Sequence, residues 1–146
     1  VQEAVRRIEL RYGGFGFYTP SSTYHTFMPG LLGGKMSSSV PESLFTFQEA
    51  DAEVRKKIMG ALTGGRATVE EQRQLGGEPE RCPVFQLYRF HMIPEDRELE
   101  EICRACRAGE RLCGICKKEA YERVKAFLAD LRERMAEVEH LVEEAA

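Results

Sequence analysis

Apolar residues recur every three or four positions through the last quarter of the chain, which is the spacing that places side chains on one face of an α-helix. The stripe consists of Ala120, Val124, Phe127 or Leu128, Leu131, Met135, Val138, Val142 and Ala145. One long helix is therefore predicted, with this face packed into a helical bundle. The alternative is that an exposed end of the stripe meets a partner helix.

Two shorter helices are predicted upstream from paired start and stop signals. Thr46 and Glu49 have the spacing of a capping box, in which two side chains bond reciprocally to the free amides of a helix start. Apolar residues then follow at helical intervals until the pattern ends, namely Ala50, Val54, Ile58 and Leu62 before Gly64 and Gly65. A second helix has the same signals, with Thr68 and Glu71 at its start and Gly76 and Gly77 at its end.

Prolines mark the next two predicted helices. Proline is tolerated in the first turn of a helix, because the N–H group that it lacks would have no intrahelical partner there. Pro83 opens a helix that runs through Phe90, and Pro94 opens another that ends at Gly109. Together with the long helix, these elements predict a mainly α fold, a helical bundle, for the second part of the chain.

The first 46 residues follow a different pattern. Residues 2–9 have helical periodicity, whereas the glycine- and aromatic-rich residues 12–18 interrupt it. A short extended segment over residues 23–28 then precedes a loop rich in glycine and serine. This part is predicted to be the edge of an α/β unit, so the domain boundary is placed between residues 46 and 47.

Composition limits the possible functions. The 146 residues suffice for one hydrophobic core, and 42% hydrophobic with 31% charged residues is typical of a globular protein in water. No apolar run approaches the ~20 residues of a membrane span and the N-terminus lacks a signal-peptide pattern, so a cytoplasmic location without membrane contact is expected. Because the formal charge is −3, RNA contact would rely on local basic groups such as residues 55–57 or Arg104, Arg107 and Arg111. The alternative for those groups is a solvated helix face.

The loop over residues 35–39 is the first candidate for chemistry. It consists of Lys35, Met36, Ser37, Ser38 and Ser39, with Pro29, Gly30, Gly33, Gly34 and Pro41 around it. A lysine ammonium beside small residues with free N–H groups can neutralise the charge that develops when a triphosphate releases pyrophosphate. The flanking glycines allow the backbone to approach a ligand closely. The alternative is a solvated surface turn.

Five cysteines provide the second candidate. Two C-x-x-C pairs lie close together in the sequence, formed by Cys103, Cys106, Cys113 and Cys116. Four thiolates at such spacing suit a tetrahedral zinc site. The alternatives are separate buried thiols or disulfides, and the expected cytosolic location disfavours disulfides.

Longer segments around these candidates resemble one family. They are Tyr-His-Thr-Phe-Met-Pro-Gly-Leu at 24–31, Thr-Gly-Gly-Arg-Ala-Thr-Val-Glu-Glu-Gln-Arg at 63–73, Leu-Gly-Gly at 75–77, and the cysteine-containing segments at 82–84, 106–109 and 113–118. Together with Lys-Met-Ser-x-Ser, and in this order, they closely resemble the C-terminal portion of archaeal and eukaryotic tryptophanyl-tRNA synthetases, which are class I aminoacyl-tRNA synthetases. The resemblance covers nearly the whole chain.

The resemblance implies a role for each part. Residues 1–46 would be the C-terminal remnant of a Rossmann-type catalytic domain, and residues 47–146 would be the helical anticodon-binding domain. Lys35 would contact the ATP phosphates during tryptophan activation, with Mg²⁺ sharing the charge and residues 36–39 closing on the nucleotide. Arg66 matches an arginine that the family places near the anticodon of tRNA(Trp). The family also forms homodimers.

Some family members carry a 4Fe-4S cluster in the anticodon-binding domain, on cysteines spaced C-x22-C-x6-C-x2-C. This spacing is matched, with one additional residue in the first gap, by Cys82, Cys106, Cys113 and Cys116. The resemblance therefore implies this ligand set, with the cluster preferred to zinc and Cys103 left over. Such a centre would shape the anticodon-reading surface.

Catalysis by class I synthetases also needs a His-Ile-Gly-His-type motif, which does not occur among these 146 residues. We therefore expect that the chain alone does not attach tryptophan to tRNA. Two other hypotheses compete with the interpretation that the chain is part of the ligase. One is a free-standing tRNA-binding module without catalysis, and the other is a zinc-stabilised helical interaction domain in which residues 35–39 form only a turn.

Overall fold

Six α-helices make up most of the regular structure in the computed structural model, which describes residues 2–18 and 20–145 without the side chains at positions 139 and 141–145. In chain order they are α1 (Gln2–Tyr12), α2 (Asp51–Gly60), α3 (Val69–Leu75), α4 (Pro83–Leu87), α5 (Asp96–Arg107) and α6 (Cys113–Ala145). Short 3-10 turns lie at Pro41–Ser43 and Pro79–Arg81, and a π-helical turn at Tyr88–Met92 extends α4. No β-strand occurs in the described residues, which confirms the mainly α fold. The segment at residues 23–28, which was predicted to be extended, pairs with no other strand in this part of the chain.

Several local signals act as predicted. The Thr68 hydroxyl accepts a hydrogen bond from the Glu71 N–H group at 3.1 Å, and the Glu71 carboxylate accepts one from the Thr68 N–H group at 3.3 Å. Gly76 ends α3 with φ +68°, and Gly109 follows α5 with φ +72°. Glycine enters this left-handed region without strain, which is the local signal that predicted both stops.

The capping box predicted at Thr46 and Glu49 is wrong. Helix α2 begins at Asp51 after Ala50, without a side-chain cap. The Glu49 carboxylate instead accepts a hydrogen bond from Lys57 Nζ at 2.7 Å, so an ion pair across two turns has replaced the cap. The helix also ends at Gly60, earlier than predicted, because the Leu62 N–H group donates to the Leu31 carbonyl at 2.7 Å.

The core lies where α6 packs along α2 and α4. Its most deeply buried apolar side chains are Val54, Ile58, Val84, Leu87, Tyr88, Ala120, Val124 and Leu128. The predicted stripe of α6 is therefore buried as far as Leu128, whereas Met135 and Val138 are each 48% exposed. The reason is length, since 33 residues span about 50 Å and extend beyond the shorter helices. Val142 and Ala145 lie outside the described side chains.

None of the described helices combines the length and apolar character needed to cross a membrane.

Arg132 attaches the middle of α6 to the segment that leads into α2. Its Nη1 atom donates to Asp51 Oδ1 at 2.8 Å, and its Nε atom donates to the Phe47 carbonyl at 3.2 Å. Residues 47–51 are thereby held against the long helix. The boundary between residues 46 and 47 stays a prediction, and these contacts place the following segment with the helical part.

Candidate functional site

The base of the loop over residues 35–39 is fixed by backbone hydrogen bonds. The Gly30 N–H group donates to the Gly34 carbonyl at 2.7 Å, and Gly33 closes the turn with φ +85°. Leu31 is 5% exposed and donates its N–H group to the Ser43 carbonyl at 2.8 Å. Since the Leu31 carbonyl also accepts from Leu62, the loop is anchored to the chain just after α2.

Ser43 organises the interior of the loop, and no pattern in the sequence indicated it. The residue is 4% exposed, its Oγ atom accepts from the Ser37 N–H group at 3.0 Å, and it donates to the Val40 carbonyl at 2.7 Å. The Ser39 N–H group donates to Ser37 Oγ at 3.3 Å. Two of the amides that were predicted to be free for a phosphate are therefore bonded within the loop, and using them requires the loop to rearrange.

Lys35 and Met36 have different surroundings. Lys35 is exposed, whereas Met36 lines a cavity of about 330 Å³ between the loop and the helices. The cavity walls are mostly apolar, with Phe45, Phe47, Leu87, Met92 and Phe127 among them. The lysine is thus accessible to an anionic ligand, and the neighbouring methionine, 42% exposed, faces the apolar cavity from the loop side.

Arg66 is held against the end of α3. Its Nε atom donates to the Gly76 carbonyl at 2.9 Å, and its Nη1 atom lies 3.2 Å from Glu78 Oε1. Its backbone N–H group donates to Gln72 Oε1 at 3.0 Å. These bonds fix the end of α3, so the arginine has a structural task whether or not it contacts tRNA.

A groove of about 390 Å³ opens beside Arg66, between the start of α3 and the start of α6. Arg66 and Lys118 line it together with the exposed apolar residues Val69 and Ile115. Three of the arginines that the sequence offered for RNA contact are paired with carboxylates: Arg104 with Glu110, Arg107 with Glu80 and Arg111 with Glu119. Cations and apolar side chains meet in this groove, which suits the phosphate and the base of a nucleotide.

The cysteine set inferred from the family resemblance lies around one small cavity. Its lining includes Cys82, Cys106, Cys113 and Cys116, whereas Cys103 is not among the lining residues. All five cysteines are free thiols. The cavity measures about 20 Å³, which is room for roughly one water-sized atom. The fold therefore brings together three different chain segments that are up to 34 positions apart.

Burial and one cation govern the chemistry of these thiols. Burial, followed by the neighbouring thiols, raises the pKa of Cys106 to about 11. Burial also raises the pKa of Cys116, although the Arg111 guanidinium opposes this by donating to Cys116 Sγ at 3.0 Å. Tyr88 donates its hydroxyl to the Cys116 carbonyl at 2.6 Å and so fixes the start of α6.

The cysteines have the right chemistry to bind a metal centre as thiolates. Their side chains are not arranged around a common point in this structure. Four cysteine sulfurs line a single cavity, and four thiolates are the donor set of a zinc or iron–sulfur site. In the described part of the chain, however, no three cysteine, histidine or carboxylate side chains are grouped closely enough to hold a metal ion. Binding would therefore require these side chains to turn towards a common point.

The known proteins that match this sequence and this fold are aminoacyl-tRNA synthetases. Residues 2–129 match the family described as tRNA synthetases class I (W and Y). The tryptophan–tRNA ligase of Archaeoglobus fulgidus is 57% identical over 139 residues, which are 95% of this chain and 33% of the relative. The corresponding ligase of Methanocaldococcus jannaschii is 52% identical over 93% of this chain and 37% of the relative.

The solved structures agree with the sequence comparison. The tryptophanyl-tRNA synthetase of Aeropyrum pernix K1 superposes with a TM-score of 0.83 at 40% identity, covering 98% of this chain and 38% of that one. The tryptophanyl-tRNA synthetase of Giardia lamblia gives a TM-score of 0.69 at 29% identity, over 75% of this chain and 28% of that one. The chain spans about a third of the length of the curated relatives that it matches. On these grounds the chain belongs to the class I tRNA synthetases (W and Y).

Proposed function

We propose that the chain is part of a tryptophan–tRNA ligase, to which it contributes a loop for the ATP phosphates and a helical domain that binds the tRNA anticodon. The observation that carries this proposal is the placement of an exposed Lys35 on a glycine-hinged loop whose base is anchored to the helical bundle. The substrates would be ATP with Mg²⁺, tryptophan and tRNA(Trp), in the cytoplasm. Residues 1–46 would serve tryptophan activation, and residues 47–146 would serve tRNA binding.

The loop would act by charge stabilisation. Pyrophosphate carries more negative charge as it leaves than it does within ATP, so a cation at that place lowers the barrier. Lys35 is available for this role at the loop surface, and the amides of Ser37 and Ser39 become available once their bonds within the loop open. Met36 would keep the loop in contact with the bundle during this movement.

The groove beside Arg66 is our proposed anticodon contact. Lys118 and Arg66 would meet phosphates, and Val69 with Ile115 would meet a base. The engagement of Arg66 with Gly76 and Glu78 supports a positioning function for that residue, with Lys118 as the more available cation. A homodimer is also proposed for the ligase, and the exposed aromatic residues between positions 12 and 18 are a surface that such an assembly would use.

Binding of tRNA without catalysis is the expected behaviour of the 146-residue chain by itself. A tRNA(Trp) transcript should bind in a filter assay, more weakly as salt rises, because the contact depends on lysine and arginine. Tryptophan-dependent ATP–pyrophosphate exchange should stay at background, since the chain holds no His-Ile-Gly-His-type motif. Lys118→Ala should weaken tRNA binding, whereas Lys125→Ala, at an exposed position farther along α6, should not. Measurable exchange by the chain, or equal binding by both variants, would contradict the proposal.

We also propose that Cys82, Cys106, Cys113 and Cys116 hold a metal centre. The family resemblance favours a 4Fe-4S cluster, and the small size of the cavity favours a single zinc ion, so both remain candidates. Either centre would join the segment before α4, the end of α5 and the start of α6. Its effect would be to stiffen the groove beside Arg66, because Cys113 lines that groove as well.

Two cysteines of α5 allow a matched test of this centre. Cys106→Ser should remove most of the bound metal, because serine is a poor ligand for soft metals, whereas Cys103→Ser should retain it. Metal content and visible absorbance of protein purified without oxygen provide the measurement. Brown protein containing iron and sulfide would identify the cluster, and colourless protein with one zinc per chain would identify zinc. The ligand set is wrong if Cys103→Ser loses the metal and Cys106→Ser keeps it.

A further inference from the structure

Gln72 is a buried polar residue in the middle of α3, with 3% of its surface exposed. Its Oε1 atom accepts a hydrogen bond from the Arg66 N–H group at 3.0 Å. This bond fixes which end of the carboxamide is oxygen, because the reverse orientation would set two N–H donors against each other. The Nε2 atom must therefore lie at the opposite end.

The Nε2 atom of Gln72 is buried and has no hydrogen-bond partner within the described residues. A buried donor that has lost water without gaining an acceptor destabilises the fold, so native proteins leave few of them. Such a donor is available to an acceptor that comes within reach when the site changes.

Two acceptors flank the glycine beside this donor, the Cys106 sulfur and the Gly64 carbonyl oxygen, and the carbonyl already accepts from the Glu78 N–H group at 2.7 Å. A Cβ atom built on Gly77 would lie 2.9 Å from Gln72 Nε2 and 2.8 Å from Cys106 Sγ, so both atoms flank the same glycine. A Cβ atom on Gly65 would collide with Cys113 Sγ and lie 3.2 Å from Gln72 Oε1. The two ends of the carboxamide thus each approach a glycine that is also approached by the sulfur of a proposed ligand. The two glycines leave the space that allows this approach.

We propose that Gln72 is a positioning residue for the cysteine centre, in which its Nε2–H group donates to the thiolate sulfur of Cys106. The inference rests on the proposed metal centre. Arg111 already makes the equivalent contact to Cys116, with 3.0 Å between Nε and Sγ. Hydrogen bonds to ligand sulfurs stabilise the thiolate form and orient it, and they set the affinity and the potential of such sites.

Two substitutions distinguish the Nε2–H donor of Gln72 from its Oε1 atom, which accepts the hydrogen bond from the Arg66 N–H group. Gln72→Glu keeps an oxygen that can accept from the Arg66 N–H group but removes the N–H donor. Gln72→Met removes both groups and adds no charge. Gln74→Glu makes the same change of charge on an exposed residue of the same helix and serves as the control.

The measurement is a Co²⁺ titration of the reduced, metal-free 146-residue chain under anaerobic conditions, followed by the sulfur-to-cobalt charge-transfer band. Both Gln72 variants should bind Co²⁺ roughly 10- to 100-fold more weakly, which is the usual effect of losing a hydrogen bond to a metal ligand. Their band should also shift, whereas Gln74→Glu should match the unchanged chain. Circular dichroism of the metal-free variants checks that the helices are retained.

Each other outcome overturns the inference in a recognisable way. Unchanged affinity and spectrum in both Gln72 variants would overturn it and leave the metal centre standing. Weak binding by Gln72→Met alone would assign the residue to holding Arg66, and weak binding by Gln72→Glu alone would reveal only an effect of charge. If the unchanged chain gives no charge-transfer band, this inference and the proposed centre are both wrong.

Discussion

Replacing Lys35 with alanine in a complete ligase that contains this chain is expected to slow tryptophan-dependent ATP–pyrophosphate exchange by roughly 10²–10³-fold, the usual cost of removing one donor from a developing charge. Because Lys35 is an exposed loop residue, the substitution should leave the stability of the fold unchanged. Binding of tRNA(Trp) should also be unchanged, since the groove beside Arg66 belongs to the helical part. The assays are pyrophosphate exchange and filter binding of the transcript.

Lys56→Ala is the matched control for this prediction. Lys56 is an exposed lysine on α2 whose Nζ atom lies 3.8 Å from Glu53 Oε2. Its replacement by alanine removes one positive charge, as Lys35→Ala does, but at a position outside the loop. Exchange should stay at the level of the unchanged enzyme. If Lys35→Ala and Lys56→Ala behave alike, residues 35–39 form only a surface turn, and the helical interaction domain becomes the better interpretation.

Gly76→Ala is expected to destabilise the chain by roughly 2–4 kcal/mol, which combines the strain of a positive φ with overpacking. Gly76 has φ +68°, and an added Cβ would collide with the carbonyl oxygen of Arg107. The contact cannot be relieved locally, because the next amide, that of Gly77, donates to the Cys106 carbonyl at 2.9 Å. Urea unfolding, followed by circular dichroism, gives the change in the free energy of unfolding.

Gly60→Ala tests whether the effect is specific to that position. Gly60 ends α2, and an added Cβ there would meet no atom within 4 Å. Alanine has the higher helix propensity, so the variant should be as stable as the unchanged chain or up to about 1 kcal/mol more stable. Equal stabilities of the two variants would mean that the ends of α3 and α5 are less tightly packed than the contact with Arg107 indicates.

The loop and the helical part share the cavity that Met36 lines, which links the two proposed activities physically. Phe45 and Phe47 approach it from the segment before α2, and Phe127 approaches it from α6. Arg132 holds that same segment against α6 through Asp51 and the Phe47 carbonyl. A movement of the loop that displaces Met36 therefore changes the shape of a cavity that the bundle also lines.

Sequence patterns predicted those features that are fixed within a few residues. The capping box of Thr68 and Glu71 depends only on neighbouring groups, and Gly76 and Gly109 adopt the positive φ that their positions after a helix predict. Pro83 occupies the first turn of α4, as its lack of an N–H group requires. The Lys-Met-Ser-x-Ser loop and the Thr-Gly-Gly-Arg segment identified the family for the same reason, because they are contiguous in the chain.

Some local predictions failed because a distant group competed for the same atoms. The carboxylate of Glu49 bonds to Lys57 instead of capping α2. The stripe of α6 continues in the sequence to Ala145, but burial ends near Leu128, since the shorter helices end before it does. Periodicity reports which face of a helix is apolar and contains no information on the length of its neighbours.

The amino-acid sequence by itself therefore determined the helices with strong caps, the apolar face of α6, the candidate loop and the family. Only the tertiary structure showed that these four cysteines surround one cavity, that the Ser43 hydroxyl accepts from the Ser37 N–H group, and that Arg66 and Gln72 hold the end of α3. The physical reason is the range of the interactions. Caps and turns act between adjacent residues, whereas a cavity and a buried donor exist only after separate segments have packed together.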